Sequence, residues 1–130
     1  MPFNNDEFLK VFDDIFKSCK DILNAKGHDY SDADNDRLSN FKDVANLMGI
    51  EAKQVWAVYF LKHIFAILTW TKGKELKSET LRGRAEDAIN YMILGYALYL
   101  EEEENAKQNK PVLKYNPYCT CDPAKCCTCP

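Results

Sequence analysis

SETLRGRAEDAINYMILGYALYLEEEE, Ser78–Glu104, reads as one long helix, and the fold follows from it. Leu81, Ala85, Ala88, Ile89, Met92, Ile93 and Tyr96 recur at steps that keep them on one side of a helix turning every 3.6 residues. Ser78 stands where a hydroxyl can cap the first turn. Working back, Val55, Val58, Tyr59, Leu61, Ile64, Phe65 and Leu68 predict a third helix from about Glu51 to Thr71, ending before Gly73. Leu38, Phe41, Val44, Ala45, Leu47 and Met48 predict a shorter second helix that stops at Gly49. Val11, Phe12, Ile15, Phe16, Cys19, Ile22 and Leu23 predict the first, capped by Asn4 or Asn5 and ended by Gly27. Glycine just past a helix end supplies the left-handed residue that a C-terminus prefers. No segment alternates with period two for long enough to form a strand. The expectation is an all-α four-helix bundle over residues 1–104 and a short Cys-rich tail over 105–130.

Composition narrows the function. The chain has 130 residues and a formal net charge of −3, with 46% hydrophobic and 28% charged residues. These are the values of one globular domain and not of a disordered chain. The acidic balance speaks against general nucleic-acid binding, which usually shows a basic stripe. No apolar run is long enough to span a bilayer, and MPFNNDEF lacks the charge pattern of a signal peptide. A cytoplasmic protein without membrane partners is expected. Trp56, Phe60 and Trp70 on the third helix, with Met92, Leu94, Leu98 and Leu100 on the fourth, lie partly off the core stripe. Their burial between copies predicts a homo-oligomer, a dimer or larger.

Several groups of residues bear on chemistry. The loop with Asp29, Asp32, Asp34 and Asp36 has the look of a calcium loop. An EF-hand counted from Asp32 would place Arg37 where glycine is needed and Asp43 where a bidentate glutamate is needed. An acidic loop leading into the second helix is the simpler reading. On the fourth helix, Glu79, Gly83, Asp87 and Asn90 with Tyr91 fall on one face at helical spacing. Polar groups on an inward face need partners, and Lys62 and His63 of the third helix are the natural ones. A purely structural polar network is the alternative. Lys26, Lys62, Arg82 and Arg84 supply cations for phosphates, and the start of the fourth helix offers backbone donors near Ser78. Tyr30, Trp56 or Tyr91 can stack on a base. His28 and His63 are read as structural histidines before catalytic ones. The tail CTCDPAKCCTCP holds Cys119, Cys121, Cys126, Cys127 and Cys129, thiolates at spacings that suit Zn²⁺ or a softer metal.

KGHDYSD (Lys26–Asp32), SNF (Ser39–Phe41), the Lys62 region and ETLRGRAEDAINYM (Glu79–Met92) together resemble the nucleotide modification associated domain 1 family. That family is small, all-α and frequent in bacteriophages, and it looks related to the all-α nucleotide pyrophosphatases of the MazG type. The resemblance covers about Lys26 to Tyr99. It implies a MazG-like fold with a nucleotide or cyclic-nucleotide pocket between helices, formed by Lys26, Asp29, Tyr30, Asn40, Lys62, Glu79, Arg82, Arg84, Asp87, Asn90 and Tyr91. It also implies a location in host cytoplasm if the chain is phage-encoded. In MazG-type enzymes paired acids on two helices converge on Mg²⁺. Here Glu79, Glu86 and Asp87 would have to serve, because the third helix carries no Glu-x-x-Glu. Losing carboxylates weakens a cation site more than a base pocket. A protein that binds or sequesters a nucleotide, as phage proteins opposing host immunity do, is therefore expected ahead of a Mg²⁺-dependent triphosphate pyrophosphohydrolase. An interaction protein with a metal-binding tail is the third expectation.

Overall fold

A computed structural model describes residues 2–30 and 36–109; for His28 and Tyr30 it describes the backbone alone. The described residues form four helices and no strand: α1 (Asn5–Tyr30), α2 (Ser39–Met48), α3 (Ala52–Thr71) and α4 (Leu81–Gln108). None of them is long and apolar enough to cross a membrane. The tail cysteines lie outside the described residues, as do Asp32 and Asp34.

Local chemistry sets the helix ends. Asn4 and Glu7 bond reciprocally, each side chain accepting from the other's backbone N–H at 2.9 Å. Glu51 and Gln54 form the same kind of box at the start of α3. Such reciprocal bonds satisfy donors that an opening helix leaves orphaned. Gly49 and Gly73 adopt φ of 67° and 71°, where a side chain would be strained. Three boundaries differ from the sequence reading. Thr80, not Ser78, caps α4, its hydroxyl accepting from Gly83 N at 3.1 Å, and α4 runs on to Gln108, beyond residue 104. Helix α1 continues through Gly27, because that glycine serves a close contact instead of a turn. A Cβ there would stand 3.0 Å from Cζ of Arg37, whose guanidinium crosses α1 and donates to Leu23 O at 2.9 Å.

Helices α3 and α4 pack side by side, with α2 against α3 and α1 against α4. The core is Leu38, Phe41, Ala45, Val55 and Leu98, with Val44, Ala52, Trp56, Tyr91, Leu94 and Ala97 around it. Burying Phe41 alone contributes roughly 2–3 kcal/mol of transfer free energy. Trp56 fixes the rotation of α3 on α4. Its ring lies directly over Gly95, its Nε1–H donates to Tyr91 O at 2.6 Å, and it stacks on Phe60 at 5.2 Å. Trp56 and Phe60 are thus half-buried within the chain and Leu98 is buried, so these residues do not form the outward surface expected of them. Trp70, Met92 and Leu100 are exposed as expected, and further bare surface lies elsewhere. Val11, Phe12 and Phe16 of α1 and Val58, Leu61, Phe65 and Leu68 of α3, read from periodicity as core, are exposed, as is Phe8.

Candidate functional site

All four helices meet around a cavity of about 270 Å³. Helix α1 contributes Ile22, Leu23 and Lys26; the loop before α2 gives Arg37; α2 gives Asn40 and Phe41; α3 gives Tyr59; and α4 gives Asp87, Asn90, Tyr91 and Leu94. Positions 87, 90, 91 and 94 share a face at i, i+3, i+4 and i+7, so α4 forms one continuous wall.

One part of the lining is aromatic. The rings of Phe41, Tyr59 and Tyr91 lie 6.2–6.4 Å apart pairwise, and His63 stands 4.7 Å from Tyr91. The polar part turns on Asn90. Its side chain is 5% exposed, and neither Oδ1 nor Nδ2 has a hydrogen-bond partner among the described residues. A buried carboxamide without partners is unusual, because each unsatisfied group forfeits about 1–3 kcal/mol. Three residues earlier, Asp87 sits between two helices, 3.7 Å from Lys26 Nζ on α1 and 3.8 Å from His63 Nδ1 on α3.

A shallower recess of about 320 Å³ adjoins this cavity, sharing Ile22, Lys26 and Asp87 and adding Glu79, Thr80, Gly83 and Glu86. Its acids do not gather as a hard cation would require. Glu86 is engaged by Arg82, whose Nε donates to Oε1 at 2.9 Å. Glu79 precedes the first residue of α4, so the spacing that placed it on a common face with Asp87 is not helical. Among the described residues, no three His, Cys, Asp or Glu side chains are grouped to hold a metal ion. Cys19 lies beneath the recess, its thiol donating to Glu86 O at 3.8 Å. Burial, with the charges of Glu86 and Asp87 nearby, raises its pKa, so it remains a thiol.

The sequence reading and the cavity agree at Lys26, Asn40, Asp87, Asn90 and Tyr91, and Glu79 reaches the adjoining recess. Other residues are placed differently. Lys62 is exposed and lines neither space, because its neighbour His63 occupies the inward position one residue, or 100°, away. Arg84 holds the α3–α4 connection, donating to Ala66 O at 2.9 Å and Ser78 Oγ at 3.3 Å. Arg82 pairs with Glu86, Trp56 packs on Gly95, and Asp29 is exposed outside both linings. Arg37 is the cation that sequence reasoning missed. Its signal was faint: an arginine beside the second helix, opposite a glycine that fails to end the first.

The site therefore defines an all-α protein with a polar-and-aromatic cavity between helices. Comparison with models of known families, with curated proteins and with solved structures finds no match for the chain.

Proposed function

We propose that this cavity binds a nucleotide, with the base inside and the phosphates at its mouth. The unpartnered Asn90 carboxamide carries the reading. A carboxamide presents a donor and an acceptor side by side, and the edges of nucleobases present the complementary pair. A base seated there would satisfy both orphaned atoms at once, against rings of Phe41, Tyr59 and Tyr91 able to pack on its face. A volume of about 270 Å³ is at the small end of ligand cavities, room for a base and part of a sugar. Lys26 and Arg37 are the cations of the lining and would meet the phosphates directly. This arrangement is compatible with the MazG-like likeness and with its binding branch. The acids of the recess, dispersed or paired with Arg82, give no support to a Mg²⁺-dependent hydrolytic step, and sequestration is the function inferred.

Mass spectrometry of small molecules released by denaturing the purified protein, followed by calorimetry with the nucleotide found, tests the proposal. A nucleotide released intact is expected. Its binding should persist in EDTA and should weaken at least about tenfold in Asn90→Leu, the scale of one lost hydrogen bond and one unpaired polar edge. Binding that disappears in EDTA, with pyrophosphate formed when Mg²⁺ is restored, overturns sequestration in favour of the hydrolase. No binding by any common nucleotide at millimolar concentration overturns both.

A further inference from the structure

One turn of α4 carries two polar side chains that face the cavity together. Asp87 and Asn90 both line it, and their spacing along the helix puts their Cβ atoms about 5–6 Å apart. Asn90 is 5% exposed, with Oδ1 and Nδ2 unpartnered among the described residues. The Asp87 side chain is 21% exposed; Lys26 Nζ at 3.7 Å and His63 Nδ1 at 3.8 Å stand beside its carboxylate but beyond hydrogen-bond reach. The adjoining recess, which shares Lys26 and Asp87, adds the carboxylates of Glu79 and Glu86 and no further cation. A carboxylate only accepts, whereas a carboxamide both donates and accepts. A ligand that takes water off this wall must therefore give Asn90 one donor and one acceptor, and give Asp87 a donor. Without that last group the carboxylate would lose its water and gain no hydrogen bond.

We propose that the cavity selects guanine and that Asp87 is the residue that sets the choice, an inference that rests on the reading of the cavity as a nucleobase site. The Watson–Crick edge of guanine presents, in order, the O6 acceptor, the N1–H donor and the N2 amino donor. Asn90 takes the first two, Nδ2 donating to O6 and Oδ1 accepting from N1–H. The N2 amino group then donates to the Asp87 carboxylate, one turn earlier on the same face. No other common base meets all three requirements. Uracil and thymine offer Asn90 the same pair of groups but turn a second carbonyl on Asp87, acceptor against acceptor. Cytosine also ends its edge in a carbonyl. Adenine places a C–H there, as does hypoxanthine, and the carboxylate is left without a bond. A site built to receive an N–H rejects a ligand lacking it far more strongly than an apolar pocket rejects a small change of shape. The rings of Phe41, Tyr59 and Tyr91 hold a base in place but do not tell one base from another, because every base has a face on which to stack.

Calorimetry on the full-length protein with GMP, IMP, XMP, AMP and UMP tests the inference. GMP should bind at least about tenfold more tightly than IMP, which lacks only the N2 amino group, the scale of a hydrogen bond to a charged group. In Asp87→Asn the preference for GMP over XMP should shrink at least about tenfold, because the introduced carboxamide can donate to the C2 carbonyl of xanthine where the carboxylate repels it. Each ratio is taken within one variant, so a general loss of affinity through helix packing cancels from it. The wild-type ratio of GMP to IMP needs no variant and decides the matter even if Asp87→Asn fails to fold. Equal wild-type affinity for GMP and IMP overturns the inference while leaving the cavity a nucleotide site; if 2′-deoxy-GMP then binds more weakly than GMP, Asp87 belongs to the sugar. A GMP to XMP ratio unchanged in Asp87→Asn overturns the assignment to Asp87. Binding of none of these nucleotides at millimolar concentration overturns the inference together with the reading on which it rests.

Discussion

Replacing Asn90 with leucine sets stability against function. Both polar atoms of this side chain are buried and unpartnered among the described residues. Each such group forfeits about 1–3 kcal/mol relative to a satisfied or absent one. Leucine has a similar size and no polar atom, so Asn90→Leu should recover part of that loss. Its branched end must fit beside Tyr91 and Leu94, and imperfect fit takes back about 1 kcal/mol. The net expectation is a gain of about 1–2 kcal/mol, or roughly 4–8 °C in melting temperature for a chain of this size. The nucleotide should bind at least about tenfold more weakly, since a base edge would face a methyl group. Urea unfolding with unchanged m-value, paired with calorimetry, reads both effects. Opposite signs are the signature of a residue kept for binding at a cost in stability. Destabilisation by leucine with affinity intact would refute the reasoning, because it would mean that a bound water satisfies the carboxamide and that Asn90 is structural.

Three further outcomes are expected. Gly95→Ala places a Cβ 2.3 Å from Cζ2 of Trp56; overpacking and loss of the indole hydrogen bond should exceed the helix-propensity gain of about 1 kcal/mol and destabilise by about 2 kcal/mol net, measured by thermal melting and relieved in a Trp56→Phe background. Lys42 joins Asp36 and Glu101: its hydrogen bond, with the backbone N–H of Leu38, lowers the Asp36 pKa, while burial opposes the Lys42 charge but the bonds to the two acids outweigh it and raise its pKa. Asp36 therefore adds stability above the ordinary carboxylate range that is lost as pH falls through its lowered pKa, and Lys42 adds stability below the ordinary lysine pKa that is lost as pH rises through its raised one; Lys42→Met should weaken the acid limb near and below about pH 4 and the alkaline limb above about pH 10 in urea midpoints. Cys19, buried and with a raised pKa, should escape iodoacetamide at pH 8 until the protein unfolds, and peptide mass spectrometry showing rapid native-state labelling would contradict its placement.

The sequence carried the helices because their signals are local. Gly49 and Gly73 end α2 and α3 as their positions indicate, and Glu51 with Gln54 boxes the start of α3. What it did not carry depends on rotation and on what lies opposite. Lys62 and His63 are adjacent in the chain, and which of them turns towards α4 follows from Trp56 seating on Gly95, seven residues before His63 and so on the same stripe. Gly27 has the look of a terminator, yet its missing side chain admits Arg37, a partner ten residues on that no periodicity announces. Periodicity identified the apolar stripe of α1 and likewise that of α3, but an apolar stripe fits a partner chain as readily as the molecule's own core.

The residues that shape the cavity are also those that hold the helices together, and this limits how the site can vary. Asp87 lies between Lys26 and His63, so the carboxylate in the cavity wall also lies where α1 and α3 approach α4. Arg37 lends the cavity a cation while bonding the backbone of α1 at Leu23. Tyr91 offers its ring to the cavity and its carbonyl to the Trp56 indole. Altering any of these moves a helix as well as a ligand contact, and loss of binding after such a change would not reveal which was lost. Asn90 differs from them: its side chain bonds nothing among the described residues, so nothing in the helix packing accounts for a carboxamide at that position. The proposed ligand would account for it. The case for a binding site therefore rests more firmly on this one unsatisfied group than on the charged residues around it, each of which has a structural use of its own.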